Sequence, residues 1–198
     1  MLKAVSQAVI DQADVLTDAD LAIGDGDHGT GMRRGFEGAL AALDATPPES
    51  IDAAFKTVGM AILSETGGAA GAIFGTLFRS GAKGFAGRDT IDGGSFAAFL
   101  EAGLEAVLKR GGVVEGQKTI VDALAPAARA AKAAAGTLPA RAKAAADGAL
   151  VGVEATKGMV ATTGKARSLG ERSLGHPDPG AISASIILVA MHDFIARN

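Results

Sequence analysis

Apolar residues recur at helical spacing along nearly the whole chain, and this periodicity predicts about eight amphipathic helices and no convincing strand. Ser50 precedes the third of these segments and the pair Asp178-Pro179 precedes the last, and both are typical of a helix start. The pattern therefore predicts an all-α fold, an eight-helix antiparallel bundle or barrel. The expected helices cover roughly residues 2–16, 32–43, 50–62, 72–83, 92–110, 118–136, 139–160 and 178–194.

Four polar or glycine-rich segments interrupt the helical pattern, and we expect them to lie at the same end of the bundle. They are residues 18–31, 65–71, 111–117 and 161–180. Each joins an odd-numbered helix to the even-numbered helix that follows it, and alternate connections of an up-and-down bundle lie at one end. The other connections are short, so the sequence predicts a functional site where these four loops meet.

Composition narrows the class of protein further. Alanine is abundant, aromatic residues make up 4% and the chain has no Trp or Tyr, which favours closely packed helices over a sheet. The length of 198 residues suits a single domain, 1–198. The absence of Cys excludes a disulfide scaffold and a thiolate zinc site, and the net charge of −3 argues against nucleic-acid binding.

The chain also lacks targeting signals that can be read from sequence. Its longest apolar run, residues 186–191, is much shorter than the ~18 residues of a membrane span. The N-terminus has neither the basic start nor the cleavage site of a signal peptide. We therefore expect a cytoplasmic protein without a membrane partner.

The first interrupting loop contains the most informative motif, residues 24–29, which fits the G-x-G-x-x-G pattern of dinucleotide-binding loops. We reject that interpretation, because no strand precedes the motif and no βαβ unit surrounds it. Charge argues against it as well, since a carboxylate about 4 Å from a phosphate oxygen is repelled by several kcal/mol at an intermediate dielectric. Asp25 and Asp27 would therefore oppose a pyrophosphate bound directly in this loop.

The same carboxylates suit a divalent cation. One glycine separates Asp25 from Asp27, so both side chains can point the same way in an extended loop, and Asp20 can approach from the preceding segment. Hard oxygen ligands without a thiolate favour Mg²⁺, which completes its shell with water and substrate phosphates. An EF-hand is excluded, because Gly29 and Phe36 occupy the places of its third ligand and its closing glutamate. The simpler alternative is a polar turn whose aspartates cap the next helix.

Anion-binding groups are expected beside these carboxylates. His28 either contacts a phosphate, orients an aspartate or takes no part. Residues 29–31 open the second helix and residues 67–71 precede the fourth, and the backbone amides of such helix starts bind phosphates. For residues 67–71, close helix packing is an equally good explanation. Basic residues of the loop 161–180 would face a polyphosphate, although alone they describe an ordinary solvated loop.

Lined up in this way, the loops resemble those of the L subunit of dihydroxyacetone kinase, the nucleotide-binding subunit that also occurs as the C-terminal domain of fused kinases. Three motifs carry the resemblance and together span nearly the whole chain: IGDGDHG at 23–29, GGAAG followed by FGT at 67–76, and LGERSLGHPDPGA at 169–181. The resemblance implies an eight-helix barrel that holds ADP or ATP and two Mg²⁺ ions at one end.

The resemblance also implies roles for individual residues. The Mg²⁺ ligands would be Asp20, Asp25 and Asp27. Lys165 would act with them in catalysis by stabilising the transferred phosphoryl group. The nucleotide would be bound by the following residues: His28, Gly29, Thr30, Gly31, Ala69, Ala70, Gly111, Ile120, Lys165, Asp178, Pro179 and Gly180.

Several of these positions depart from the family pattern while the three aspartates are kept. The departures are Gly31 for the usual Asn, Ala70 for Ser, Ile120 for Met and Lys165 for Arg. Residues 167–168 are Arg-Ser where the family often has Ser-Tyr. These differences point to altered nucleotide handling or to a divergent substrate beside an intact metal site.

The function that the resemblance implies is a phosphotransferase subunit acting on a small ketose. A separate K subunit would hold the ketose, and no residue of this chain is an obvious base for a sugar hydroxyl. The donor would be free ATP, or a phosphotransferase-system protein that rephosphorylates bound ADP, and a homodimer is left open. Three alternatives remain: a tetrulose (erythrulose-type) kinase subunit, a non-catalytic nucleotide-binding regulator that docks on a transcription factor, and a plain helical interaction module.

Overall fold

The computed structural model describes residues 1–198 and consists of α-helices, loops and two 3₁₀ segments, with no strand. This arrangement confirms the predicted all-helical class. The helices are α1 (Leu2–Asp11), α2 (Ala13–Ile23), α3 (His28–Ala45), α4 (Ile51–Glu65), α5 (Gly68–Gly81), α6 (Gly93–Gly111), α7 (Val121–Ala133), α8 (Leu138–Thr156) and α9 (Pro179–Arg197). The 3₁₀ segments are Ala82–Phe85 and Lys165–Ser173, and the second is interrupted at Gly170.

The first predicted helix is divided into two. Gln12 (φ −99°, ψ 8°) lies outside the helical region and separates α1 from α2. No Gly or Pro marks this break in the sequence. The break lets α1 pack against α9 while α2 contacts the 3₁₀ segment 165–173. The structure therefore has nine α-helices, with α1 and α2 together in the place of the predicted first helix.

Caps confirm several of the predicted helix starts. The Ser50 hydroxyl oxygen caps α4 and the Asp178 carboxylate caps α9, each accepting a backbone N–H three residues further on. Asp92 and Ser95 form a reciprocal capping box at the start of α6. These short-range bonds decide where the helices begin, and the Asp178 cap also fixes where the loop between α8 and α9 ends.

The ring of helices is closed. From α3 to α9, helices that follow one another in sequence pack side by side, and α1 packs against both α3 and α9. Phenylalanine rings from α4, α6 and the first 3₁₀ segment fill part of the core, with centroids 4.6 Å apart for Phe55 and Phe85 and 5.3 Å apart for Phe85 and Phe99. A closed, filled ring gives the loops at its end a rigid base.

Small residues bring α7 and α8 into close contact. Alanines on the facing sides of both helices are fully buried, among them Ala131, Ala145 and Ala149. A Cβ atom on Gly152 would lie only 2.2 Å from the carbonyl oxygen of Asp122. The two helix backbones therefore touch directly at this crossing.

α9 is the one helix that is long and apolar enough to cross a membrane by length and composition, with a mean hydropathy of 1.5. Core helices of other proteins satisfy the same criterion. Here α9 packs against α8, α1 and α7, and its residues Ile187, Leu188 and Met191 are buried in the core. The contacts of α9 are those of a core helix.

Candidate functional site

One cavity of about 360 Å³ lies where the four interrupting connections meet. This volume is within the ordinary range of small-molecule sites, ~300–1,000 Å³. Each of the four connections contributes residues to the wall of the cavity. These are Asp27 between α2 and α3, Thr66 and Gly67 between α4 and α5, Lys118–Ile120 between α6 and α7, and Thr163–Ala166 and Asp178 between α8 and α9. The prediction that the four connections share one end of the bundle is confirmed.

Three carboxylates gather at the mouth of this cavity. The sequence predicted Asp20 in a loop, but it lies on α2, which continues seven residues beyond the predicted end at residue 16, to Ile23. Asp20 is 8% exposed. Asp25 and Asp27 lie in the short exposed connection that follows. One oxygen from each of the three carboxylates lies within 4.8 Å of the others. A compact set of hard oxygen ligands of this kind fits Mg²⁺.

The local backbone makes room for the buried aspartate. A Cβ atom on Gly24 would lie 2.2 Å from Asp20 Oδ1, so a side chain at this position would displace the carboxylate. The backbone N–H of His28 donates to Asp20 Oδ2 at 3.2 Å. Glycine at position 24 and the start of α3 therefore hold Asp20 toward the cavity.

Lys165 lies between the two exposed carboxylates. Its Nζ is 2.6 Å from Asp25 Oδ1, 2.5 Å from Asp25 Oδ2 and 2.8 Å from Asp27 Oδ2. The hydrogen bond from Lys165 lowers the pKa of Asp25, and the bonds to both carboxylates raise the pKa of Lys165. Asp25 and Lys165 therefore stay charged at neutral pH, and the ammonium neutralises part of the carboxylate cluster.

His28, the first residue of α3, faces the inside of the cavity. Its Nε2 lies 2.8 Å from Ser183 Oγ on α9. Burial lowers the pKa of His28, more than the nearby charges of Asp20 and Asp27 raise it, so the imidazole is neutral at pH 7. The sequence did not single out Ser183, because it is one of many small residues on an apolar helix.

The N-termini of α3 and α5 both open toward the cavity. Their first amides have no partner within the helix, as is general for helix starts, and Thr30, Ala69 and Ala70 line the wall there. Arg34 joins the two helix starts by donating from Nη2 to the carbonyl oxygen of Thr66 at 3.0 Å. Gly67 has a φ of 77°, a conformation that favours glycine. The amides of these helix starts carry a partial positive charge beside the carboxylates.

The remaining wall is formed by residues 118–120 and 178–180. Ile120 and Pro179 are buried apolar residues in this wall. Burial raises the pKa of Asp178 to about 7. Lys118, which the sequence analysis did not single out as a site residue, is 2% exposed and lies beside this carboxylate. A lone lysine among glycines gives no signal in sequence that its side chain turns inward.

The structure brings twelve of the fifteen predicted site residues to the wall of the cavity and leaves three outside it. Asp25 belongs to the carboxylate cluster at the mouth without lining the cavity. Gly29 packs against α2, where a Cβ atom would lie 2.1 Å from the Ala13 carbonyl oxygen. Gly111 is the exposed last residue of α6 and reaches the site only through its neighbour Ile73. The wall itself contains Asp20, Asp27, His28, Thr30, Gly31, Ala69, Ala70, Ile120, Lys165, Asp178, Pro179 and Gly180.

Comparisons with known proteins show which proteins this chain resembles over most of its length. The model of the DAK2 domain family matches residues 22–193. The chain is similar to the ADP-binding subunit DhaL of PEP-dependent dihydroxyacetone kinase 1 from Listeria innocua, with 38% identity over 185 residues that cover 93% of this chain and 89% of that subunit. It is also similar to the ADP-binding subunit DhaL of the PEP-dependent dihydroxyacetone kinase of Escherichia coli, with 34% identity, 89% of this chain and 86% of that subunit.

A solved structure shares the fold. The dihydroxyacetone kinase of C. freundii in its native form superposes with a TM-score of 0.76 at 25% identity. The match covers 98% of this chain and 33% of that one, so this chain spans about a third of the larger kinase. The same fold is therefore also found as part of a longer protein.

Proposed function

Because this chain belongs to the DAK2 domain family, we propose that it is the ADP- and ATP-binding subunit of a dihydroxyacetone-type kinase. The observation that carries the proposal is the cluster of three carboxylates beside two open helix N-termini in one cavity. Helix N-termini attract phosphates, while bare carboxylates repel them. The two features are compatible with one ligand when a divalent cation lies between the carboxylates and a polyphosphate.

Asp20, Asp25 and Asp27 would hold Mg²⁺ in this site. When bound there, Mg²⁺ neutralises phosphate oxygens and stabilises the charge on a phosphoryl group in transfer. We infer a pair of ions, because one Mg²⁺ usually takes only one or two protein carboxylates when it also binds substrate phosphates.

The residues of the chain itself bind and orient the nucleotide. The unpaired amides that follow His28 at the start of α3, and those at the start of α5, would donate hydrogen bonds to phosphate oxygens, and Lys165 adds a positive charge to that end. His28, held by Ser183, presents a neutral imidazole to the same space. The apolar wall at Ile120 and Pro179 suits the base, which carries no charge.

The acceptor in this proposal is a small ketose on a separate K subunit. Asp27 is bonded to Lys165 and His28 Nε2 to Ser183 Oγ, so no side chain of the cavity is an obvious base for a sugar hydroxyl. The relatives from Listeria innocua and Escherichia coli are named PEP-dependent. We therefore infer that a phosphotransferase-system protein rephosphorylates bound ADP, and that free ATP alone does not sustain turnover with the K subunit.

Isothermal titration with Mg·ADP tests the proposal, with Asp25→Asn as the variant. Asn keeps the size of the side chain but loses the charge that holds a divalent cation, so we expect Mg·ADP affinity to fall at least tenfold. Asp147→Asn is the matched control, because Asp147 is an exposed aspartate paired with Lys143 on α8.

Turnover provides the second readout of the same experiment. The wild-type chain alone should phosphorylate no ketose, and turnover should appear when the K subunit and the phosphoryl donor are added. Binding of Mg·ADP by Asp25→Asn as tight as that of the wild type, or ketose phosphorylation by this chain alone, would contradict the proposal.

A further inference from the structure

Lys118 is a buried cation in the wall of the cavity. Its side chain is 2% exposed, and Nζ donates to the carbonyl oxygens of Thr156 at 2.5 Å and of His176 at 2.6 Å. An ammonium removed from water is costly unless polar partners compensate it. Two carbonyl oxygens do so directly, and the carboxylates of Asp122 and Asp178 add a favourable charge.

The backbone of Lys118 is unusual as well. It is the one residue other than glycine with a positive φ, 62°. For an L residue this conformation costs of order 1 kcal/mol or more and persists only where surrounding contacts impose it. Asp122 supplies such contacts, since its carboxylate accepts the backbone N–H of Thr119 at 2.7 Å and that of Gly116. The segment 116–120 is thus fixed by the Asp122 carboxylate through its backbone and by two carbonyl oxygens through the Lys118 side chain.

Lys118 joins three parts of the molecule at this wall. Its own segment continues into Ile120, its first acceptor lies at the C-terminus of α8, and its second lies two residues before Asp178. The backbone N–H of Asp178 donates to Thr156 Oγ1 at 3.0 Å, which links the last two of these segments. We call the meeting point of residues 118–120, Thr156 and residues 176–180 the junction. Across the junction, a Cβ atom on Gly180 would lie 3.5 Å from Ile120 Cβ.

On the side of residues 118–120, the junction makes no bond to the charged end of the cavity. No hydrogen bond or ion pair connects residues 118–120 with Asp20, Asp25 or Asp27. The charged end offers carboxylates and Lys165, whereas the junction presents apolar surface from Ile120 and Pro179. A ligand with an ionic and an uncharged part would therefore place its uncharged part at the junction.

We propose that Lys118 is a positioning residue for the nucleoside part of the ligand: its ammonium holds the wall at Ile120 against the wall at Asp178–Gly180. This inference rests on the proposed nucleotide-binding function and deepens it. Lys118 acts through the two wall segments and leaves the metal and phosphate end unchanged. Its loss should therefore weaken binding of a nucleotide but not of an inorganic polyphosphate.

The test compares Mg·ADP with Mg·pyrophosphate by isothermal titration on the full chain. Lys118→Met keeps much of the side-chain volume and removes the ammonium, and we expect its Mg·ADP affinity to fall at least tenfold while Mg·pyrophosphate affinity stays within twofold. Lys143→Met, which removes an exposed lysine of α8, is the control and should change neither affinity.

A second variant covers the case in which Lys118→Met does not fold. Thr156→Val removes the acceptor of the Asp178 N–H from the same junction without deleting a buried charge, and the same separation between the two probes is expected. An equal loss for both probes, or no loss for either, would overturn the positioning role. A wild-type chain that does not bind Mg·ADP would contradict the proposed function itself, which is a distinguishable result.

Discussion

At the scale of single residues, the most informative feature is the position of Lys165. It stands 138 and 140 residues away in sequence from the carboxylates that it contacts, Asp27 and Asp25. A lysine ammonium is a compact point charge with three donors, and here its Nζ contacts both carboxylates at once. It therefore occupies the region that a divalent cation would use and competes with that cation for the same oxygens.

We expect Lys165→Gln to change two affinities in opposite directions. Without the ammonium, the carboxylates of the nucleotide-free chain should bind Mn²⁺ about 2- to 5-fold more tightly, the range that suits an exposed ion pair. The same variant should bind Mg·ADP more weakly, because a positive charge near the phosphates is lost. Electron paramagnetic resonance measures the first quantity and isothermal titration the second.

Lys132→Gln removes a lysine from an exposed ion pair with Glu101 and serves as the control. Mn²⁺ affinity that is unchanged or reduced in Lys165→Gln would show that Lys165 does not compete with the cation.

At the scale of helices, the contact between α7 and α8 supports one side of the site. Gly152 allows the backbones to touch, since a Cβ atom there would meet the carbonyl oxygen of Asp122 at 2.2 Å and the Cα of Ala123 at 2.6 Å. Neither atom can move without shifting α7. The same two helices carry Asp122 and Thr156, which hold the segment around Lys118.

We therefore expect Gly152→Ala to lower the free energy of unfolding by about 1–3 kcal/mol, the usual cost of overpacking a tight interface. Gly158→Ala is the control, because the nearest atom to a Cβ there is 3.7 Å away. Urea unfolding followed by circular dichroism gives both values. Equal stability of the two variants would mean that α7 can move away from α8 at little cost.

At the scale of the whole molecule, one continuous hydrophobic cluster links residues from Val5 to Met191. We propose that residues 1–198 form a single domain that unfolds in one transition, because no separate core divides the chain. In such a domain the protonation of one buried group changes the stability of the entire fold. Asp178, whose pKa burial raises to about 7, is the group to examine.

The sign of the pH effect follows from the two pKa values of Asp178. Between its ordinary pKa, near 4, and about 7, the unfolded chain loses this proton while the folded chain keeps it, so stability falls as pH rises through this range. We expect Asp178→Asn, which can still cap α9, to remove this loss. In urea unfolding, the free energy of unfolding of this variant should rise by about 1–3 kcal/mol relative to that of the wild type between pH 5 and pH 8. A constant difference between the two proteins at all pH values would contradict the raised pKa.

Local patterns in the sequence determined the helical class, most of the helix starts and the end of the bundle that carries the site. Helical periodicity, caps such as Ser50 and Asp178, and the short spacing of Asp25 and Asp27 are properties of neighbouring residues, and each could be inferred without knowing what packs against them. The odd-to-even order of the four loops was enough to bring them together, because an antiparallel bundle leaves no other arrangement.

Contacts between residues distant in sequence were decided only by the tertiary structure. The break at Gln12 has no local signal, because it depends on which helices α1 and α2 meet. The same is true of the Ser183 contact with His28 and of the inward turn of Lys118. Each of these contacts joins segments whose separation and orientation are set by helix packing. Sequence spacing therefore predicts the cluster of Asp20, Asp25 and Asp27, whereas the walls of the cavity depend on the packing of the whole bundle.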